Sequence, residues 1–314
     1  MAEIVGYIAM SHSPFWDESF DIEGPGAEFA AGAATVKEKV QALAPDLVVI
    51  FGPDHMRNFF YDLMPAFCIG AGEVISFGDY GGHKGSLPHR EGIGRRIIDN
   101  VREQGFDPAF SLRMGIDHGI VQPYEVLLPD MSVPVLPIMV DCGAAPRPSM
   151  KRAHEFGGAV GKALRELDED LRILLVSSGG LSHWVKAASP YDESTDEETR
   201  EFLIDGRETV VEYNAAREAG LAERIAAGHE GDINHEWDRW FLAHMTSGNI
   251  EELLAIDPDH MEKVAGNGTH EVRAWLAGLG AWDAPVETIA YEPVHRWVTG
   301  MGLVAAFSEP AVRN

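Results

Sequence analysis

Apolar positions along this chain follow two periods that alternate. Continuous apolar runs stand at residues 4–10, 47–51 and 171–176, as expected of strands covered on both faces. Helical spacing appears at 26–44, where Phe29, Ala33, Val36, Val40 and Leu43 recur, and Pro45 bars continuation. Further helices are predicted at 89–104, at 150–167 and through most of 196–280, with breaks at Gly228-His229-Glu230-Gly231 and Gly266-Asn267-Gly268. A strand is predicted near 66–69, and the last strands near 285–291 and 302–307. Another is predicted at 133–140, where Pro134 and Pro137 point to an edge or bulged position. Gly81-Gly82-His83-Lys84-Gly85 reads as a mobile loop. Alternating strands and helices favour an α/β fold. No linker or fixed-period repeat divides the chain, so residues 1–314 read as one unit that includes the helix-rich stretch.

Three strand-like runs end in a tight turn that carries a histidine. These are Ser11-His12-Ser13-Pro14, Gly52-Pro53-Asp54-His55 and Ser177-Ser178-Gly179-Gly180-Leu181-Ser182-His183. An open parallel sheet binds ligands beyond the carboxyl ends of its strands, so His12, His55 and His183 can share one site. A metal centre or an acid/base cluster follows. His83, His89, His154, His229, His244, His260 and His295 read as surface or structural residues. Asp117-His118-Gly119 fits a capped turn as well as a chemical site.

Two imidazoles and a carboxylate leave coordination positions open on a metal. With Fe(II) such a set activates oxygen, and with zinc it suits hydrolysis. Spacing alone does not choose the carboxylate among fifty acids. The segment from Gly266 to Trp275 stands out, with glycines that permit close approach and Thr269 placed to cap a helix. Glu271 there reads either as an ordinary first-turn glutamate or as a ligand.

Composition narrows the field. Formal net charge is -25, from 25 Lys+Arg against 50 Asp+Glu. Such a surface repels nucleic acid and anionic lipid, and an anionic substrate needs a local cationic pocket. The acidic run from Asp192 to Glu198 reads as a solvated loop and helix start. No apolar run approaches the ~20 residues of a membrane span, and the start of the chain lacks the features of a signal peptide. Two cysteines, Cys68 and Cys142, in apolar contexts exclude a disulfide framework and point to a reducing cytoplasm.

At these same residues the chain resembles the class III extradiol ring-cleavage dioxygenases. The resemblance runs nearly end to end. It is carried by Ser11-His12-Ser13-Pro14, Pro53-Asp54-His55, Phe59-Phe60-Tyr61-Asp62 with Met64-Pro65, and Asp117-His118-Gly119. It continues in Ser178-Gly179-Gly180-Leu181-Ser182-His183, Trp237-Asp238, and Thr269-His270-Glu271 followed by Trp275. The resemblance implies an α/β unit with a central mixed sheet between helices. It implies a mononuclear non-haem Fe(II) on His12, His55 and Glu271, with His183 as proton acceptor and His118 as proton donor. It also implies a catechol and O2 as substrates, and a homo-oligomer, for which the aromatic stretch 59–67 is a candidate interface. Asp54 and Asp117 are candidates to orient neighbouring imidazoles, or simply to stabilise their own turns.

The ring substituent is less constrained. A carboxyethyl catechol needs a cationic or hydrogen-bonding partner, and Arg57, Lys84 and Arg296 are candidates that no motif separates. Phe59, Phe60 and Tyr61 suit an aromatic pocket wall, a core or an interface, and the acidic segment from Trp184 to Ser194 is placed to border the substrate. Three other readings stand beside this one. A zinc hydrolase would work without O2, and another catechol or an aminophenol would suit a related dioxygenase. A binding protein of the same fold would lack a ligand or the base, and all five positions are present.

Overall fold

The computed structural model describes residues 1–15, 24–185 and 189–308. Its elements run β1 (Glu3–Met10), α1 (Ala27–Leu43), β2 (Leu47–Gly52), β3 (Phe67–Phe77), β4 (Lys84–Leu87), α2 (Ile93–Glu103), β5 (Ala109–Ile116) and α3 (His118–Leu127). Then follow β6 (Val135–Val140), α4 (Met150–Arg165), β7 (Arg172–Ser178), α5 (Glu197–Asp205), α6 (Val210–Ala226) and α7 (His235–Ser247). The last are α8 (Glu251–Leu254), α9 (Pro258–Ala265), α10 (Val272–Trp282), β8 (Glu287–Val294) and β9 (Thr299–Phe307). The strands form a mixed nine-stranded sheet in the order β4-β3-β6-β2-β7-β1-β9-β8, with β5 paired to β3.

Strand alternation explains the layers. Tyr7, Ala9, Val49, Phe51, Ile173 and Leu175 point into one core with α2, α4, α7 and α10. Ile8, Met10, Val48, Ile50, Leu174 and Val176 point into the other, with α1 and α3. Both faces are therefore covered, which is why these three strands read as unbroken apolar runs. β7 lies between β1 and β2 and is parallel to both, so all three carboxyl ends open on one edge. Every residue of α10 is buried against the sheet and α4.

The α/β expectation and the central mixed sheet hold. Three details differ. β6 is interior, between β3 and β2, despite its prolines. Val48 N–H donates to the Pro134 carbonyl, so Pro137 turns its nitrogen away from β2. On that side β3 pairs only with Ile138 to Val140, and Pro137 lies just past the ladder's end, so its missing N–H forfeits no bond. β5 was not foreseen; Phe110 and Leu112 are exposed and give no buried run. The expected loop at 81–85 is partly ordered, with a 3-10 turn at Asp79–Gly81 and β4 beginning at Lys84. The acidic run starts α5 as expected, with Asp196 accepting the Thr199 N–H. Among the described residues no helix is long and apolar enough to cross a membrane.

Candidate metal centre

Each site residue is aimed by local features. Ser11 locks the end of β1 to β9: its hydroxyl donates to the Gly300 carbonyl and accepts the Gly302 N–H, both at 3.0 Å. Ser13 accepts the Phe15 N–H and donates to the Trp297 carbonyl, so the turn is pinned on both sides of His12. After β2, the Asp54 carboxylate accepts the N–H groups of Arg57, Asn58 and Phe59 and shapes the turn below His55. Asp117 caps α3 by accepting the Gly119 N–H at 2.8 Å, which makes His118 the first helical residue.

After β7, Ser182 is held by Asp238, which accepts both its N–H (2.7 Å) and its hydroxyl (2.8 Å). Tyr291 donates to the same carboxylate. This is the structural use of Trp237-Asp238: it fixes the turn that delivers His183. Glu271 ends a 3-10 turn at Asn267–Glu271 that leads into α10. Thr269 is not a cap; its hydroxyl donates to the Ala265 and Leu181 carbonyls. His270 faces away and bonds Glu262 and Arg273.

Three imidazoles converge on Glu271 and His118 lies beside two of them, and each of the four has one ring nitrogen already held. His12 Nδ1 lies 2.9 Å from Ser178 Oγ, and His55 Nδ1 lies 3.1 Å from Asp117 Oδ2. His118 Nδ1 lies 2.6 Å from Asp79 Oδ2, and His183 Nδ1 lies 2.9 Å from the Leu181 carbonyl. The Nε2 atoms of His55, His12 and His183 lie 3.1, 3.6 and 3.7 Å from Glu271 oxygens. One ring nitrogen each from His12, His55 and His118 lies within 4.8 Å of the others. His118 and His55 stack with centroids 4.5 Å apart. The Gly180 N–H donates to Glu271 Oε2 at 2.6 Å.

Burial and charge shape the ionisation. Burial takes His12 down to about 3, so it is a neutral imidazole with a free lone pair. Burial also pulls His55 down, but the Asp117 and Glu271 carboxylates override it and raise His55 to about 10. His183 moves up for a similar reason: burial opposes, and the Glu271 hydrogen bond and charge prevail. Burial would raise Glu271, yet His12, His183 and His55 hold it well below the usual carboxylate range. A concentrated negative charge faced by several Nε2 atoms is a donor set that suits a divalent cation.

Sequence reasoning missed two supporting residues. Asp79 and Ser178 hold His118 and His12, respectively. Ser178 stood inside a quoted motif, whereas no spacing linked Asp79 to His118. Asp117 contacts an imidazole; Asp54 serves its own turn. Phe60 is fully buried against Phe202, and the Tyr61 hydroxyl accepts the Ala144 N–H, so both belong to packing beneath α5. Phe59 packs on the second core. Arg57 is 4% exposed, whereas Lys84 and Arg296 are exposed on the surface. In the stretch from Trp184 to Ser194, residues 186–188 lie outside the described residues.

Residues 6–306 match the family described as the catalytic LigB subunit of aromatic ring-opening dioxygenase. The chain belongs to this family. It is a ring-cleaving dioxygenase, an oxidoreductase. Similar proteins include one from Rhodococcus sp, 37% identical over 312 residues that cover 96% of this dioxygenase and 98% of that protein. Another, from Rhodococcus rhodochrous, is 38% identical over 95% and 96% of the two chains. A third, from Escherichia coli strain K12 / DH10B, is 33% identical over 96% and 98%. All three bear the name 2,3-dihydroxyphenylpropionate/2,3-dihydroxicinnamic acid 1,2-dioxygenase. Among solved structures, an uncharacterized protein of Escherichia coli K12 shares the fold. Its TM-score is 0.50 at 14% identity, over 96% of the dioxygenase and 99% of that chain. Dioxygenases of this family depend on a metal.

Proposed function

We propose that the dioxygenase is an extradiol enzyme that uses Fe(II) to open 2,3-dihydroxyphenylpropionate, or a close analogue, beside its diol. The names of the similar proteins support the substrate. The observation that carries the reading is the convergence of imidazole Nε2 atoms on the buried Glu271 carboxylate. In this reading His12, His55 and Glu271 hold the metal, and His183 and His118 move protons.

When bound, the ferrous ion would supply adjacent coordination positions that hold the catechol and O2 together. The protein residues do the rest. The Leu181 carbonyl keeps the proton of His183 on Nδ1, which leaves Nε2 free to accept the catechol proton. Losing that proton enriches the ring in electrons before oxygen attacks. His118, whose ring centroid lies 5.3 Å from that of His12, is the group that returns a proton as the ring opens. Both oxygen atoms enter the product, so no external reductant is required. Phe15, which follows the His12 turn, gathers with Tyr80, Leu221 and Val298 into a small apolar cluster.

The test is anaerobic reconstitution with Fe(II), followed by 2,3-dihydroxyphenylpropionate in air-saturated buffer. A yellow product formed mole for mole with O2 consumed is expected. Bound iron without O2 uptake on this or any other catechol would refute the reading. Glu271→Gln should lose iron and His118→Gln should keep it. The opposite pattern would assign the third ligand to His118, whose ring nitrogen also lies near His12 and His55.

A further inference from the structure

We propose that Asp79, anchored by Arg57, is a positioning residue that fixes the tautomer and heading of His118. The inference rests on the reading of His118 as proton donor. One Asp79 carboxylate binds His118 twice: Oδ1 accepts its backbone N–H at 3.0 Å, and Oδ2 lies 2.6 Å from Nδ1. Both residues are buried. A carboxylate on Nδ1 keeps a proton there, so the transferable proton sits on Nε2, the nitrogen that faces the crevice. The two bonds also stop the ring from rotating about its side-chain torsions, because the same carboxylate is tied to the His118 main chain.

A buried carboxylate needs a countercharge, and Arg57 provides it. Its Nη2 lies 3.4 Å from Asp79 Oδ2 and 3.7 Å from Glu218 Oε1. Its Nε and Nη1 are buried and have no hydrogen-bond partner among the described residues.

The backbone agrees. Gly78, Tyr80 and Gly81 have φ of 72, 53 and 84°, so the turn around Asp79 is built largely from left-handed conformations. Tyr80 is the one that pays a steric cost for this. The turn places Asp79 on His118 Nδ1 and the Tyr80 ring edge-on to the imidazole, with centroids 4.8 Å apart.

The experiment compares Asp79→Asn, Arg57→Lys and His118→Gln, and each of the first two combined with His118→Gln, in iron content, kcat and KM. Asp79→Asn should lower kcat roughly 10- to 100-fold, with KM and iron content unchanged. Arg57→Lys, which keeps the charge and loses the fork, should lower kcat less, and it gives an independent reading where Asp79→Asn does not fold. Both losses should vanish in the His118→Gln background, because a residue acting through His118 has nothing left to position. Full kcat in both Asp79→Asn and Arg57→Lys, or losses that multiply with that of His118→Gln, would overturn the inference and leave the proposed function standing. Full kcat in His118→Gln would overturn the donor role itself. A loss in Arg57→Lys confined to carboxylate-bearing catechols, absent with 3-ethylcatechol, would overturn the anchoring role of Arg57.

Discussion

Gly157→Ala should destabilise the protein although it places a better helix former in mid-helix. α4 and α10 meet along a seam of small residues. A Cβ on Gly157 would stand 2.8 Å from Ala277 Cα and 2.5 Å from its carbonyl carbon, and nearer still to the carbonyl oxygen. Carbon atoms in contact prefer about 3.5–4.0 Å, so the helices must part by roughly 1 Å. The obstacle is main chain and cannot swing aside. Gly161 against Ala281 Cα (2.7 Å) and Gly280 against the His154 carbonyl carbon (3.0 Å) show that the whole seam is at this distance. Overpacking of this kind costs about 3 kcal/mol. Alanine returns about 1 kcal/mol through helix propensity. The net loss is about 2 kcal/mol, a fall in Tm of roughly 4 °C for a chain of this length. Gly158 provides the control: its Cβ would meet only the Gly280 oxygen at 3.7 Å, so Gly158→Ala should be stabilising by about 0.5–1 kcal/mol. The assay is thermal unfolding of both variants beside the parent, with iron content measured in parallel. Because α10 begins directly after Glu271, a parted seam should also lower metal retention. A Gly157→Ala protein as stable as Gly158→Ala would refute the close-approach argument.

Two further outcomes are expected. A Cβ on Gly268 would press on the His183 ring, 2.5 Å from Cε1, so Gly268→Ala should lose at least roughly tenfold in kcat by displacing the proposed base; full turnover would show that the ring has room. Burial raises Asp141 to about 6, above its unfolded value near 3.8, so its favourable contribution is fully present below about pH 4 and is lost as pH rises to about 6. Between pH 5 and pH 7 this amounts to about 1.3 kcal/mol; Asp141→Asn should lack it, and parallel stability curves for the two proteins across that range would sink the argument.

The strand-end histidines were legible because buried parallel strands have an unmistakable pattern and open at one edge. His12, His55 and His183 follow β1, β2 and β7, which are neighbours. Glu271 was not legible from spacing: it reaches the crevice through α10, whose position depends on tertiary packing. Asp79 was hidden for the same reason, since it approaches His118 from a turn 39 residues away. β5 escaped because an exposed strand need not alternate, and β6 was misplaced because a proline at a ladder's end mimics one at a sheet edge.

The histidines and glutamate at the crevice come from positions 12 to 271, and β1, which sets the first of them, is paired with β9 at 299–307. A chain still being synthesised therefore has no complete centre to offer. In the proposed reading, metal loading is expected to wait until β9 has docked on β1 and set the His12 turn. In that reading the ion would join His12, after β1, to Glu271, before α10. Its affinity would add directly to the stability of the native state, and metal starvation should shorten the lifetime of the protein in the cell as well as silence it.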